Sequence, residues 1–79
     1  RILAQKRLRD RLKIYLQTLT PDEKDCYSLP YTRTELADFL CVDRSALSRE
    51  LCRMRDEGIL DFSGAKIHLL NPKFLYGWN

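Results

Sequence analysis

The sequence predicts a mainly α-helical domain carrying a small β-hairpin or sheet, and three observations predict it. Two helical patterns abut within residues 32–57 with only a two-residue corner between them. Gly58 closes the second pattern, and two short strand-like runs follow on either side of Ser63-Gly64-Ala65. An amphipathic pattern over residues 2–19 supplies a further helix to cover the pair.

In that first helix Leu8, Leu12, Tyr15, Leu16 and Leu19 recur on one face, while Lys6, Arg7, Arg9, Arg11 and Lys13 spread around the rest. A basic amphipathic helix can also lie on a membrane surface, but a chain this small needs those apolar residues for its core. Thr20-Pro21-Asp22-Glu23 reads as a second helix start, with Thr at the cap and Pro at the first helical position. That helix is expected to be short, because Pro30 disfavours helix at Leu29. Tyr27–Leu29 is the candidate for a third strand. The acidic run Asp22, Glu23 and Asp25 reads as a solvated surface.

Thr32 and Glu35 have the spacing of a capping box, so a helix starts there. Leu36, Ala37 and Leu40 share one of its faces, with Phe39 beside them. Cys41 and Val42 form the corner, and Asp43 offers its carboxylate to the next helix, over about residues 43–57. Leu47, Leu51 and Met54 make the buried stripe of that helix. Its other side presents Arg44, Ser45, Ser48, Arg49 and Cys52, with Arg53 and Arg55 near the edges. A short helix, a tight corner and a helix with a small, polar, Arg-rich outer face form the layout of a helix-turn-helix that fits a DNA major groove. Strands at 59–62 and 66–70 then make it a winged helix-turn-helix. Asn71-Pro72 breaks the second strand. In the tail at 73–79, Phe74, Tyr76 and Trp78 alternate, which suits an extended segment over a sheet edge or core opening.

Seventy-nine residues allow one small core, so residues 1–79 are expected to form a single winged-helix domain. A start inside a helical pattern, without an initiating Met, leads to the expectation of a fragment of a longer chain. Mean hydropathy is −0.42, and no apolar run approaches the roughly 20 residues that span a bilayer. Net charge is only +3, but its distribution is uneven. Residues 1–20 carry six basic groups and one acidic, 21–43 carry two and six, and 44–55 carry four and one. The second helix of the pair is therefore a basic island beside an acidic stretch, as a nucleic-acid-binding element requires. Cys26, Cys41 and Cys52 form no CxxC pair, and their odd number fits the reducing cytosol, giving an expected cytoplasmic location. A zinc site built from them with His68 would need ligands from distant segments, so no metal is expected. Nucleophile–base sets and glycine-rich phosphate loops are missing, so no enzyme activity and no catalytic residues are expected.

Thr32-Arg33 with Glu35-Leu36-Ala37, then Arg44 to Leu51, then Asp56-Glu57-Gly58-Ile59-Leu60 resemble the DNA-binding domain of the Crp/Fnr family of bacterial transcription regulators. The resemblance covers roughly residues 1–70 and is most specific over 32–60. It implies that positions Arg44, Ser45, Ser48 and Arg49 read bases; many family members have Glu where Ser45 stands. Arginine suits that task because its guanidinium bonds guanine O6 and N7 together. Phosphate contacts are expected from Thr32 and Arg33 at a helix start, from Cys52 and Arg53, and from Ser63, Gly64 and Lys66 on the wing. The resemblance further implies a homodimer formed through segments outside these residues, a palindromic double-stranded DNA operator and an upstream sensor domain. That domain would bind a cyclic nucleotide, a haem, an iron–sulfur cluster or another effector, with no cofactor in this domain. RNA polymerase is a possible partner of the acidic run. The competing reading is a winged helix used as a protein–protein interaction module, which requires an exposed apolar patch. In the family, Gly usually stands at the corner position held by Cys41, because the chain there turns left-handed.

Overall fold

The computed structural model describes residues 7–76 of the chain, Tyr76 by its backbone alone. The elements in order are α1 (Leu8–Gln17), β1 (Cys26–Ser28), α2 (Arg33–Phe39), α3 (Arg44–Asp56), β2 (Leu60–Ser63), β3 (Lys66–Leu69) and α4 (Lys73–Tyr76). Residues 1–6 of the expected first helix lie outside the described residues.

The apolar periodicities become one core. Leu12 and Leu16 of α1 meet Leu36 and Leu40 of the α2 region, Leu47, Leu51 and Met54 of α3, and Leu60, Ile67 and Leu69 of the sheet; all are at most 2% exposed. Each such burial is worth about 1.5–3 kcal/mol, which is how a chain this short stays folded. Leu8 and Leu19 pack partly buried at the margins, as does Val42 beside the corner.

Helix α2 starts as the sequence predicts. The Thr32 hydroxyl accepts the Glu35 N–H at 3.1 Å, and the Glu35 carboxylate accepts the Thr32 N–H at 2.9 Å. It ends in a six-residue cap whose left-handed residue is Cys41 (φ 63°): the Cys41 N–H donates to Asp38 O and the Val42 N–H to Ala37 O. The end of α3 repeats this geometry with Gly58 (φ 79°), whose N–H donates to Arg55 O while the Ile59 N–H donates to Met54 O. Asp43 occupies the N-cap of α3 in extended conformation, but its side chain makes no capping hydrogen bond. The expected carboxylate cap is therefore absent, although the helix begins where predicted.

The sheet is antiparallel with order β1-β3-β2. Tyr27, Ile67 and Phe62 align across it on the core face, while Cys26, His68 and Asp61 align on the outer face, where His68 is exposed. The hairpin is fastened to β1 at both ends: the Leu29 N–H donates to Ala65 O and the Leu69 N–H to Asp25 O, each at 2.7 Å.

Two further expectations fail. The Thr20-Pro21 segment forms no helix. The chain instead turns tightly, with the Asp22 N–H donating to Cys26 O, the Cys26 N–H to Glu23 O, and Asp25 at φ 62°. Pairing of β1 with β3 holds Cys26 in extended backbone, and the Asp22 carboxylate is taken by the Ser28 hydroxyl and by Lys66 at 3.2 Å, which fixes the segment as a turn. Residues 73–76 of the aromatic tail are not extended either. Asn71 Oδ1 accepts the Lys73 N–H and starts the short helix α4, which buries Leu75. Gln17 of α1 donates to Leu75 O at 2.7 Å and holds that helix in place. Phe74 is half-buried; Trp78 lies outside the described residues.

Candidate nucleic-acid interface

The corner sets α3 across α2, and the Leu47-Leu51-Met54 stripe decides which side of α3 faces inward. The opposite side therefore looks out. Arg44, Ser45 and Arg49 are exposed, while Ser48 and Cys52 are half-buried on the same surface. Among the described residues, neither Arg44 nor Arg49 forms an ion pair or a side-chain hydrogen bond. Their guanidinium donors are thus available to an external acceptor. Ser48, Arg49, Cys52, Arg53 and Asp56 line one open groove along this surface.

The residues expected to contact phosphate are found in differing states. Thr32 stands at the start of α2, where its hydroxyl already accepts the Glu35 N–H and keeps its own proton to donate. Arg33 is half-buried, and its guanidinium lies 5.5 Å from the centre of the Phe62 ring. Burial, with repulsion from Arg44 added, lowers the pKa of Arg33 below its ordinary value. A cation in that position gains from any anion that approaches. Arg55 approaches Phe62 as well, at 5.3 Å, and lies 3.9 Å from Asp56. Ser63 and Gly64 sit exposed at the hairpin tip, with Gly64 at φ 57° as the turn requires. Lys66 points its ammonium at Asp22 on the outer face of the sheet, so a phosphate must compete with that carboxylate.

Sequence reasoning missed the roles of four residues, Phe62, Glu50, Arg9 and Arg11. Phe62, read only as a strand residue, is the aromatic surface shared by Arg33 and Arg55. Glu50 belongs to the polar sequence of α3 yet is 8% exposed, because Arg9 of α1 reaches over it: Arg9 Nε lies 2.5 Å from Glu50 Oε2. The same guanidinium grips Glu57 with Nη1 and Nη2 at 2.8 and 3.1 Å. Bonding to Glu57 outweighs the opposing effect of burial, and together with Glu50 it raises the Arg9 pKa; the Glu57 carboxyl is held below its ordinary range by the same bond. Arg11 likewise turns inward, donating to Leu40 O at 2.8 Å near the corner. Basic residues that look solvated on a helical projection thus join α1 to the helix pair.

Other chemistry finds less support in the geometry. Among the described residues the exposed large apolar side chains are Phe39 and Leu70, and neither lies on α3, so that face lacks the patch that a protein-binding module needs. Cys26, Cys41 and Cys52 are free thiols. Among the described residues no cluster of three or more His, Cys, Asp or Glu could hold a metal ion, and no helix is long and apolar enough to cross a membrane.

A family model for the Crp-like helix-turn-helix domain matches residues 6–77. The chain belongs to that family. This Crp-like domain also superposes on solved structures of larger proteins. It is 28% identical to FixK2 from Bradyrhizobium japonicum, with a TM-score of 0.78, covering 94% of this chain and 39% of that one. A transcriptional regulator of the CRP family from Thermus thermophilus gives a TM-score of 0.71 at 22% identity, over 94% of this chain and 43% of that one. Oxidized CprK in complex with o-chlorophenolacetic acid gives 0.62 at 24% identity, over 87% of this chain and 29% of that one. The Crp-like domain thus spans less than half the length of each of these three proteins. No curated protein sequence matches it. The winged helix-turn-helix and its DNA-binding type, expected from residues 32–60, are those of the Crp/Fnr regulators.

Proposed function

We propose that this domain reads a DNA operator for a bacterial transcription regulator, with α3 in the major groove and Arg44, Ser45, Ser48 and Arg49 at the base edges. One observation carries the reading: Arg44 and Arg49 stand exposed on the outward side of α3 without a described partner. Thr32, Arg33, Cys52, Arg53, Ser63, Gly64 and Lys66 surround that surface as the phosphate contacts, which supply affinity and register rather than sequence choice. No catalytic role and no cofactor in this domain are part of the proposal.

In the whole protein the domain works as one half of a homodimer joined through segments outside these residues. It reads one half of a palindrome whose half-sites lie about one helical turn apart. An upstream domain takes the effector, and RNA polymerase is the partner proposed for an activating complex. A cytoplasmic location follows from the free thiols and the nature of the target. The test is a binding titration of the full-length protein on a duplex it selects from a random-sequence pool. Arg49→Ala should weaken specific binding by about 1–3 kcal/mol, or roughly five- to 150-fold, and relax the preference at one base pair. Equal binding by both proteins would remove Arg49 from the site.

A further inference from the structure

We propose that Glu50 is a positioning residue for DNA binding: its buried carboxylate, held on one oxygen by Arg9, fixes the Arg53 guanidinium at the phosphate-facing edge of α3. The inference rests on the reading that α3 enters the duplex.

A carboxylate one turn along a DNA-binding helix is at first sight a liability, because it repels phosphate. The geometry gives it another task. Arg9 Nε lies 2.5 Å from Oε2, and Arg53 Nε and Nη2 lie 3.3 and 3.1 Å from Oε1. Each oxygen therefore serves a different helix. The Glu50 side chain is 11% exposed, so its charge is largely withdrawn from solvent and from the groove, whereas the Arg53 side chain is 62% exposed. An arginine carries five N–H donors in a rigid fork, and the bonds to Glu50 use only one edge of it. Nη1 makes no bond to a described residue, and Arg53 lines the open groove together with Arg49 and Cys52.

The role of Arg9 completes the picture. Arg9 takes the second oxygen of Glu50 while its other two donors hold Glu57, so the buried carboxylate keeps a partner on each oxygen. Glu50 therefore acts on Arg53 through orientation: it fixes one edge of the guanidinium and leaves Nη1 to a phosphate. Freed of that anchor, a long exposed arginine samples many rotamers and loses more entropy on binding.

The test measures how the affinity of the full-length protein for the selected duplex varies with salt. The slope of log K against log salt becomes shallower by about 0.9 for every phosphate the protein ceases to neutralise. Arg53→Ala should flatten the slope by about that amount per bound chain. Glu50→Gln should weaken binding and flatten the slope by most of the same amount, and the double variant should match Arg53→Ala alone. Preference among bases should stay unchanged in all three. Glu50→Leu, whose side chain needs no partner, gives the same comparison should the Gln variant fold poorly. Tighter binding by Glu50→Gln at an unchanged slope would mean that the carboxylate acts only as a repelling charge, and would overturn the inference. So would additive effects in the double variant, or a slope unmoved by Arg53→Ala. A wild-type protein that binds no duplex would instead overturn the reading of α3.

Discussion

Replacing Cys41 with glycine should stabilise the protein, although it deletes a side chain. Cys41 holds the left-handed position of the cap that ends α2, at φ 63°, and Gly58 holds the equivalent position of α3 at φ 79°. An L-residue there costs about 1–2 kcal/mol of steric strain. Cys41 is exposed, so removing its Cβ and thiol sacrifices little packing. Glycine offsets part of the gain with roughly 0.5–1 kcal/mol of extra unfolded-chain entropy. The net gain is about 0.5–1 kcal/mol, which for a domain of this size raises the melting temperature by about 2–8 °C. The converse variant, Gly58→Ala, meets no atom within 4 Å of the added Cβ, so its cost is backbone strain alone. With the unfolded-chain entropy that alanine removes set against that strain, it should lower stability by about 0.5–1 kcal/mol. Thermal unfolding of both variants and the parent, followed by far-ultraviolet circular dichroism, measures the pair. A lower melting temperature for Cys41→Gly, or the same sign for both, would refute the claim that the corner keeps its strained geometry.

Leu51→Ala, at a fully buried site where α3 meets the core, should cost about 2–5 kcal/mol in a denaturant titration. Asp22 and Glu57 should shape the acid limb of stability. Both carboxyls have folded pKa values below their ordinary ones, Asp22 through Ser28 and then Lys66, Glu57 through Arg9. Their contributions are therefore complete above the unfolded values near about pH 4 and are lost as pH falls through the lower folded values. Asp22→Asn with Glu57→Gln should make stability fall less steeply between about pH 4 and the acid transition. An unchanged acid limb would show that neither contact matters to folding.

What the sequence reveals and what it hides divide along the range of the interactions. The Thr32–Glu35 box, the left-handed corner, the Leu47-Leu51-Met54 stripe and the glycine stop at 58 are set by residues within one or two turns, and all stand where expected. So does the polar outer face of α3. A cap residue followed by proline is the misleading signal, because its outcome depends on distant partners. Thr20-Pro21 has the form of a helix start, but β1 pairing and the Lys66 contact to Asp22 pull that segment into a turn. Asn71-Pro72 has the form of a simple break, yet with α1 behind it the same kind of signal opens α4. Glu50 is hidden for a related reason. Nothing within α3 says that an arginine 41 positions away will cover it.

The two backbone ties between β1 and the hairpin reach beyond the sheet itself. Leu29 and Leu69 pin the wing to β1 at both of its ends, and Leu60, Ile67 and Leu69 seat it in the core that α3 shares, so the wing and α3 form one rigid frame before any duplex arrives. The domain then behaves as a fixed ruler laid against a deformable rod. Any mismatch between the ruler and straight B-form DNA falls on the rod, whose bending cost depends on base sequence. Base pairs that no side chain touches would thus enter the choice of target through their stiffness.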